Sequence, residues 1–262
     1  MDALGFTPEA TRTALHRMAA EGWVEPSRVG RYAAYRLTPQ GVDRLEEAAA
    51  RIYRLRAADW DGRWRLLVGP LTSAARRPDA ELRRALRWMG FGRLTPDVWV
   101  SPHPHGDRLR RLLDGPGLDA SSLRFVAEGP NDRSEDARIV ATAWDLAELR
   151  HAHAEFIARW RDHPVPDGPQ EAFTTRIRLV HHWRSFLFLD PGLPAALLPA
   201  DWLGEEAAET FRCLYEAVDD GAWSYYDQLV AAAPPLPHAA ARSPAASPFA
   251  QGLAALQTRR PA

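Results

Sequence analysis

The apolar positions near the start of the chain change period within a short distance. Between residues 8 and 20, Ala10, Thr11, Ala14, Leu15 and Met18 fall on one side of a helical spiral. Glu9, Arg12, Thr13 and His16 fall on the other, with Arg17 at its edge. Thr7-Pro8 is a helix start, because a threonine hydroxyl caps free N–H groups and proline suits the first turn. Two short β-prone runs follow, Trp23-Val24-Glu25 and Tyr32–Leu37, flanking Ser27-Arg28-Val29-Gly30-Arg31. Glycine there lets a hairpin turn, with arginines at its tip. Thr38-Pro39 repeats the helix-start signal, and Val42, Leu45, Ala49 and Ile52 then recur at helical spacing.

Further along, β and α patterns alternate. Residues 64–69 read as a strand, 79–89 as a helix, 98–101 as a strand, 107–113 as a helix and 123–127 as a strand. That order over so short a stretch predicts a ferredoxin-like α/β sandwich. Beyond Asn131 the pattern is helical. Leu146, Leu149, His153, Phe156 and Trp160 form one stripe, and residues 177–189 and 205–218 form further helices. Between the last two lies Asp190-Pro191-Gly192-Leu193-Pro194, then Leu197-Leu198-Pro199 and Trp202, a proline-pinned apolar connection and not a loose linker. After residue 233 Pro, Ala and Ser accumulate and periodicity fades, which predicts a disordered tail.

The expected fold class is therefore α+β and multidomain. Residues 1–37 form a partial winged helix-turn-helix lacking its first helices, and 38–60 a connector helix. Residues 61–130 form the ferredoxin-like middle domain, 131–233 a helical C-terminal domain, and 234–262 the tail.

Charge adds a direction. The formal net charge is −1, but residues 1–130 hold 21 arginines against 16 acids, and residues 131–262 hold 12 against 18. An N-terminal half facing nucleic acid and a C-terminal half facing protein fit that asymmetry. Every basic residue is arginine, which suits phosphate but equally reflects a GC-rich coding sequence. The single cysteine, Cys213, excludes an intrachain disulfide framework and fits a reducing cytoplasm. Its neighbours Phe211, Leu214, Tyr215 and Val218 predict a packed thiol. The absence of a spanning apolar run and of a signal sequence predicts a cytoplasmic protein without a membrane partner.

A helix with an apolar back and an Arg/Thr/His front, followed by an arginine-tipped hairpin, is the chemistry of a DNA reader. Arg12, Thr13, His16 and Arg17 are the candidates for base edges and phosphates, and Arg28 and Arg31 for the backbone. Double-stranded DNA is thus the expected partner. No catalytic set is expected. There is no Gly-x-Ser-x-Gly elbow, no phosphate-cradling glycine loop and no HExxH. His103-Pro104-His105 lacks a third metal ligand, and the pairs His151/His153 and His181/His182 have spacings that point their side chains apart.

With these segments in order, the chain resembles the PaaX family of bacterial repressors of phenylacetate catabolism. The matching stretches are RTALHRMAAEGWV with GRYAAYRLTPQG; LRRALRWMGFGRLTPDVWVSP; AWDLAEL continuing to Phe156; and DPGLPAALLPADWLG. The resemblance implies a winged-helix head, a ferredoxin-like middle domain and a helical C-terminal domain. It also implies a homodimer on a palindromic operator, released by an aryl-acyl coenzyme A such as phenylacetyl-CoA, with no cofactor. For such an effector, Arg83, Arg84, Arg87 and Arg93 beside Trp88, Phe91 and Trp99 offer cations and aromatic walls, with Arg83, Arg87, Arg93 and Trp99 as the chosen candidates. The tryptophans at 144, 160, 183 and 202 are alternative pocket walls but read first as core.

The sequence departs from the family pattern in two places. Relatives begin earlier, with one helix and most of another ahead of the equivalent of Leu4-Gly5, so the chain as written is expected to bind DNA weakly and an extended form well. After the first middle-domain strand, Gly69-Pro70-Leu71-Thr72 replaces a Pro-Glu tendency. Two further functions fit parts of the pattern. One is a truncated paralogue that binds effector or heterodimerises without binding DNA. The other is a metal-dependent nuclease of the kind that shares the middle-domain fold. The nuclease needs an aspartate at the end of the first strand, where Gly69-Pro70 stands instead, with Asp61 ahead of the strand.

Overall fold

The computed structural model describes residues 4–30, 32–53, 60–69, 79–114, 123–129 and 132–232, together with Phe249. Helix α1 (Pro8–Ala20) opens as the Thr7-Pro8 signal requires, with Thr7 Oγ1 accepting from the Ala10 N–H at 3.2 Å. Gly22, at φ +74°, turns the chain into strand β1 (Val24–Val29), which pairs antiparallel with β2 (Tyr32–Leu37) from Val24↔Leu37 to Val29↔Tyr32. β1 runs further toward the tip than expected, and Gly30, at φ +59°, begins the turn.

Thr38 then starts α2 (Pro39–Ile52) and ties the base of the hairpin together. Its Oγ1 donates to Gly22 O at 2.6 Å and accepts from Gly41 N at 3.0 Å. Gly41 is needed there, because a Cβ on it would lie 2.1 Å from Trp23 O.

The chain forms two compact units. The first holds residues 1–55, 158–183 and 208 onward; the second holds 56–157 and 184–207. In the second, β3 (Arg63–Val68), β4 (Gly92–Thr95), β5 (Val98–Ser101) and β6 (Leu123–Glu128) make one antiparallel sheet in the order β4-β5-β3-β6. Helix α3 (Asp79–Trp88) crosses from β3 to β4, and α4 (Gly106–Leu113) from β5 to β6. Each crossover leaves room for a strand of the other, so two split β-α-β units interlock.

One apolar cluster of this unit joins Leu67 and Trp99 of the sheet to Leu82, Leu86 and Met89, with Phe91 and Leu109. A second joins Trp64 and Val100 to Val140, Leu193 and Leu197. Helix α5 (Arg133–Ala143) starts at Asp132, whose Oδ1 accepts from Ser134 N at 2.8 Å. Then come α6 (Leu146–Trp160), the short α8 (Phe186–Leu189) and a 3₁₀ turn at Ala195–Leu197. The anticipated α6 stripe is the buried one, at Leu149, His153, Phe156 and Trp160.

In the first unit, α7 (Pro169–Trp183) and α9 (Gly204–Ala232) hold the end of α2. Trp183 Nε1 donates to Ile52 O at 2.9 Å, and the indole stacks on Phe211 at 4.7 Å and 6°. Arg176 pairs with Asp219 at 2.9 Å and donates to the Tyr215 hydroxyl at 2.8 Å. Of the segment expected to be a disordered tail, Phe249 is described, and its ring packs edge-on against Tyr53, Phe211 and Tyr215.

Several details depart from expectation. β4 was not anticipated, and α9 runs on past residue 218 to Ala232. The connector helix ends at Ile52, and residues 54–59 lie outside those described. Cys213 is exposed, with its thiol 3.2 Å from Glu209 Oε1. On α9 the buried side holds Phe211, Leu214, Tyr215 and Val218, and position 213 falls out of phase with it.

Candidate nucleic-acid interface and a tryptophan-walled cleft

Arg12, Thr13, His16 and Arg17 are all exposed on α1, as their shared face predicts. Arg12 donates to Glu9 at 2.8 Å, a pair on the surface that a phosphate can displace at little cost. Thr13, His16 and Arg17 have no partner among the described residues, so their donors are open to a ligand. On the hairpin Arg28 is exposed and equally unpartnered, while Arg31 lies outside the described residues. Arg36 on β2, not singled out from sequence, is exposed and only loosely paired with Glu25, at 3.9 Å.

Arg44 stacks over Trp23 at 4.7 Å and covers the base of this module. Behind the polar face of α1, Thr11, Ala14, Leu15, Met18 and Ala19 are only half-buried, and no residue of the helix is fully buried. The surface suits phosphate and groove contact through guanidinium, hydroxyl and imidazole groups.

Of the expected effector residues, one lies in the core and three lie at or near the surface. Trp99 is 1% exposed inside the sheet-and-helix core and cannot wall an open pocket. Arg87 and Arg93 are exposed, and Arg93 Nε turns back to Thr95 O at 3.2 Å. Arg83 is half-buried on α3. Trp88 meets Phe188 at 5.2 Å, and Phe91 is core, with His105 at 4.5 Å.

A cleft of about 990 Å³ lies elsewhere in the same unit, between α5, the first turn of α6 and the Leu197-Leu198-Pro199 segment. Trp60 and Trp144 wall it, and behind them Trp64 donates to buried Asp136 at 2.9 Å. Trp144 is among the tryptophans that the sequence offers as alternative pocket walls; nothing in the local sequence marks Trp60 or Arg133.

Metal and acid–base chemistry find little here. Among the described residues no group of three His, Cys, Asp or Glu side chains could hold a metal ion. Asp61, the carboxylate nearest the first sheet strand, is bound by Arg65 and by the Arg63 N–H, which together hold it down to about 2. His105 sits against Phe91 with a ring nitrogen 2.9 Å from Ser101 Oγ, and burial pushes its pKa down to about 4. No helix among the described residues is long and apolar enough to cross a membrane.

Comparison with known proteins agrees with this architecture. Three family models match successive stretches: PaaX-like protein at residues 1–41, the PaaX protein central Cas2-like domain at 57–140, and the PaaX-like protein C-terminal domain at 144–228. The transcriptional repressor PaaX of Escherichia coli (strain K12) is 31% identical over 237 residues, covering 87% of this chain and 74% of that protein. Among solved structures, an uncharacterized protein from Mycobacterium tuberculosis superposes with a TM-score of 0.53 over 86% of this chain and 87% of that one. At 24% identity that likeness is one of fold alone. Matched along most of its length by family models and by a repressor, the chain belongs to the PaaX family of transcriptional regulators and is not an enzyme.

Proposed function

We propose that the chain is a cytoplasmic repressor that binds double-stranded DNA and leaves it when an aryl-acyl coenzyme A, such as phenylacetyl-CoA, is taken up. In this reading α1 and the hairpin, within residues 1–37, act as a partial winged helix-turn-helix head, α2 as a connector helix, and the four-stranded sheet with its helices as a ferredoxin-like middle domain. The regulated genes then serve the catabolism of an aromatic acid of the phenylacetate type. The observation that carries the reading is the shared exposed face of α1, with Thr13, His16 and Arg17, ahead of a hairpin bearing Arg28, both arginines unpaired among the described residues. Such a surface offers donors for phosphates and base edges from a helix and a wing together.

Binding as a homodimer to a palindromic operator belongs to the same proposal. Strand β6, at the sheet edge among the described residues, supports it, since Leu123, Phe125 and Val126 are more than half exposed there, and apolar edges are normally covered.

Fluorescence anisotropy of the chain on its own promoter DNA, with and without phenylacetyl-CoA, tests the proposal. Salt-sensitive binding reversed by the thioester is the expected result. Tight binding that no aryl-acyl thioester reverses would contradict the effector half. Absence of DNA binding would favour a second reading, a partner that takes up effector or heterodimerises without a DNA site of its own. The thin packing of α1, which has no buried residue, is the observation on that side.

A further inference from the structure

We infer that the tryptophan-walled cleft of the second unit is the effector site, and that it takes a flat apolar group carrying a negative charge. The inference rests on the ligand-responsive reading above and moves its site away from Arg83, Arg87, Arg93 and Trp99.

Size is the first observation. A cleft of about 990 Å³ falls within the range of small-molecule sites. Its walls are apolar where an aryl or acyl body would lie: Trp60, Val140, Trp144, Leu146, Leu197 and Leu198.

The walls are also held in place. Trp60 meets Trp64 edge-on at 5.4 Å, and Trp64 stacks on Trp144 at 6.2 Å and 27°. Trp60 Nε1 donates to Arg63 O at 3.1 Å. Gly92 on β4 admits the edge of Trp144, since a Cβ there would lie 2.5 Å from Cε2. Aromatic walls fixed before the ligand arrives lose little freedom on binding it.

The lining also carries polar groups. Two carboxylates reach it, and each has one oxygen accepting an N–H of the fold. Asp136 accepts from Trp64 Nε1, and Asp145 Oδ1 accepts from Glu148 N at 3.0 Å, capping α6. Arg133, the cation of the lining, has no partner among the described residues and is exposed. The Arg133 guanidinium offers a fork of donors that suits a carboxylate or phosphate. Trp144 Nε1 adds a buried N–H with no acceptor among the described residues.

A free aryl acid and its coenzyme A thioester share this chemistry, one presenting a carboxylate and the other a carbonyl with phosphates beyond it. Isothermal titration of the full chain in the absence of DNA, with phenylacetate, phenylacetyl-CoA and coenzyme A in turn, separates them. The same titrations are run on Arg133→Ala, Leu198→Trp and Arg87→Ala. Arg133→Ala should weaken binding about tenfold or more, the scale of a lost charge-assisted hydrogen bond. Leu198→Trp should crowd the cleft and weaken binding, and Arg87→Ala should bind as wild type.

Arg133 is exposed, so its variant keeps the fold even if Leu198→Trp does not. Wild-type affinity in Arg133→Ala, or a loss confined to Arg87→Ala, would overturn the assignment. So would silence with all three ligands from a chain that still binds promoter DNA, which leaves the repressor reading intact. Ligand binding that requires Arg133 in a chain that binds no DNA would support the cleft and refute the DNA-binding half of the proposed function.

Discussion

A buried imidazole makes the second unit sensitive to acid. His153 is 1% exposed, with Phe186 at 4.5 Å and Trp202 at 5.3 Å, and its Nδ1 has no hydrogen-bond partner among the described residues. Burial pushes its pKa down to about 4 from an ordinary 6.5, outweighing the Asp190 carboxylate 3.9 Å from Nε2. The folded chain therefore keeps this group neutral while the unfolded chain protonates it. The stability that follows is fully present above pH 6.5 and is lost as pH falls toward 4. Linkage puts the loss between pH 7 and pH 5 at about 2 kcal/mol for this residue. His105 is pushed down to about the same value and adds its own loss. Urea midpoints of wild type and His153→Leu at pH 7 and pH 5 check the prediction, with the variant losing about 2 kcal/mol less over that interval. Equal losses would contradict it.

Elements were legible where their ends are written in short-range chemistry. Thr7-Pro8 and Thr38-Pro39 announce two helices, and both hydroxyls accept from the N–H three residues on. The stripe 149, 153, 156, 160 was legible because 3.6-residue periodicity and burial coincide. β4 was not, because four residues beginning with glycine and broken by a register shift between Arg93 and Thr95 leave no alternation to see. Cys213 shows the same limit: apolar neighbours in sequence say less than phase on the helix. The α1 face of the candidate site follows from periodicity, but the cleft does not. It joins Trp60, Arg133, Trp144 and Leu198 from separate segments, and no local pattern encodes such a meeting. Gly41 carries an element-scale prediction. A Cβ at this buried position would overlap Trp23 O, so Gly41→Ala should destabilise the hairpin and the start of α2 by about 2 kcal/mol. Hydrogen exchange of the hairpin amides checks this against Gly168→Ala, where a Cβ meets nothing within 4 Å. Equal protection in both variants would refute the clamp.

Across the whole molecule, sequence order and spatial grouping part company. The helix-and-hairpin head groups with α7 and most of α9, far along the chain, through Trp183 on Ile52 and the rings around Tyr53. The second unit likewise gathers residues 184–207 onto the sheet domain, and so builds the cleft. Domain limits drawn along the sequence cannot show either grouping, because long-range contacts leave no periodic signal. Both units must fold for the proposed repressor to work, one for DNA and one for effector. The DNA claim is the central one, and salt dependence tests it most directly. Anisotropy on promoter DNA across a salt series should give a steep linear loss of log affinity. Arg17→Ala/Arg28→Ala should flatten that slope by about 1.8, two phosphates at ~0.9 each. An unchanged slope in a folded double variant would contradict the assignment of α1 and the hairpin as the DNA-binding surface.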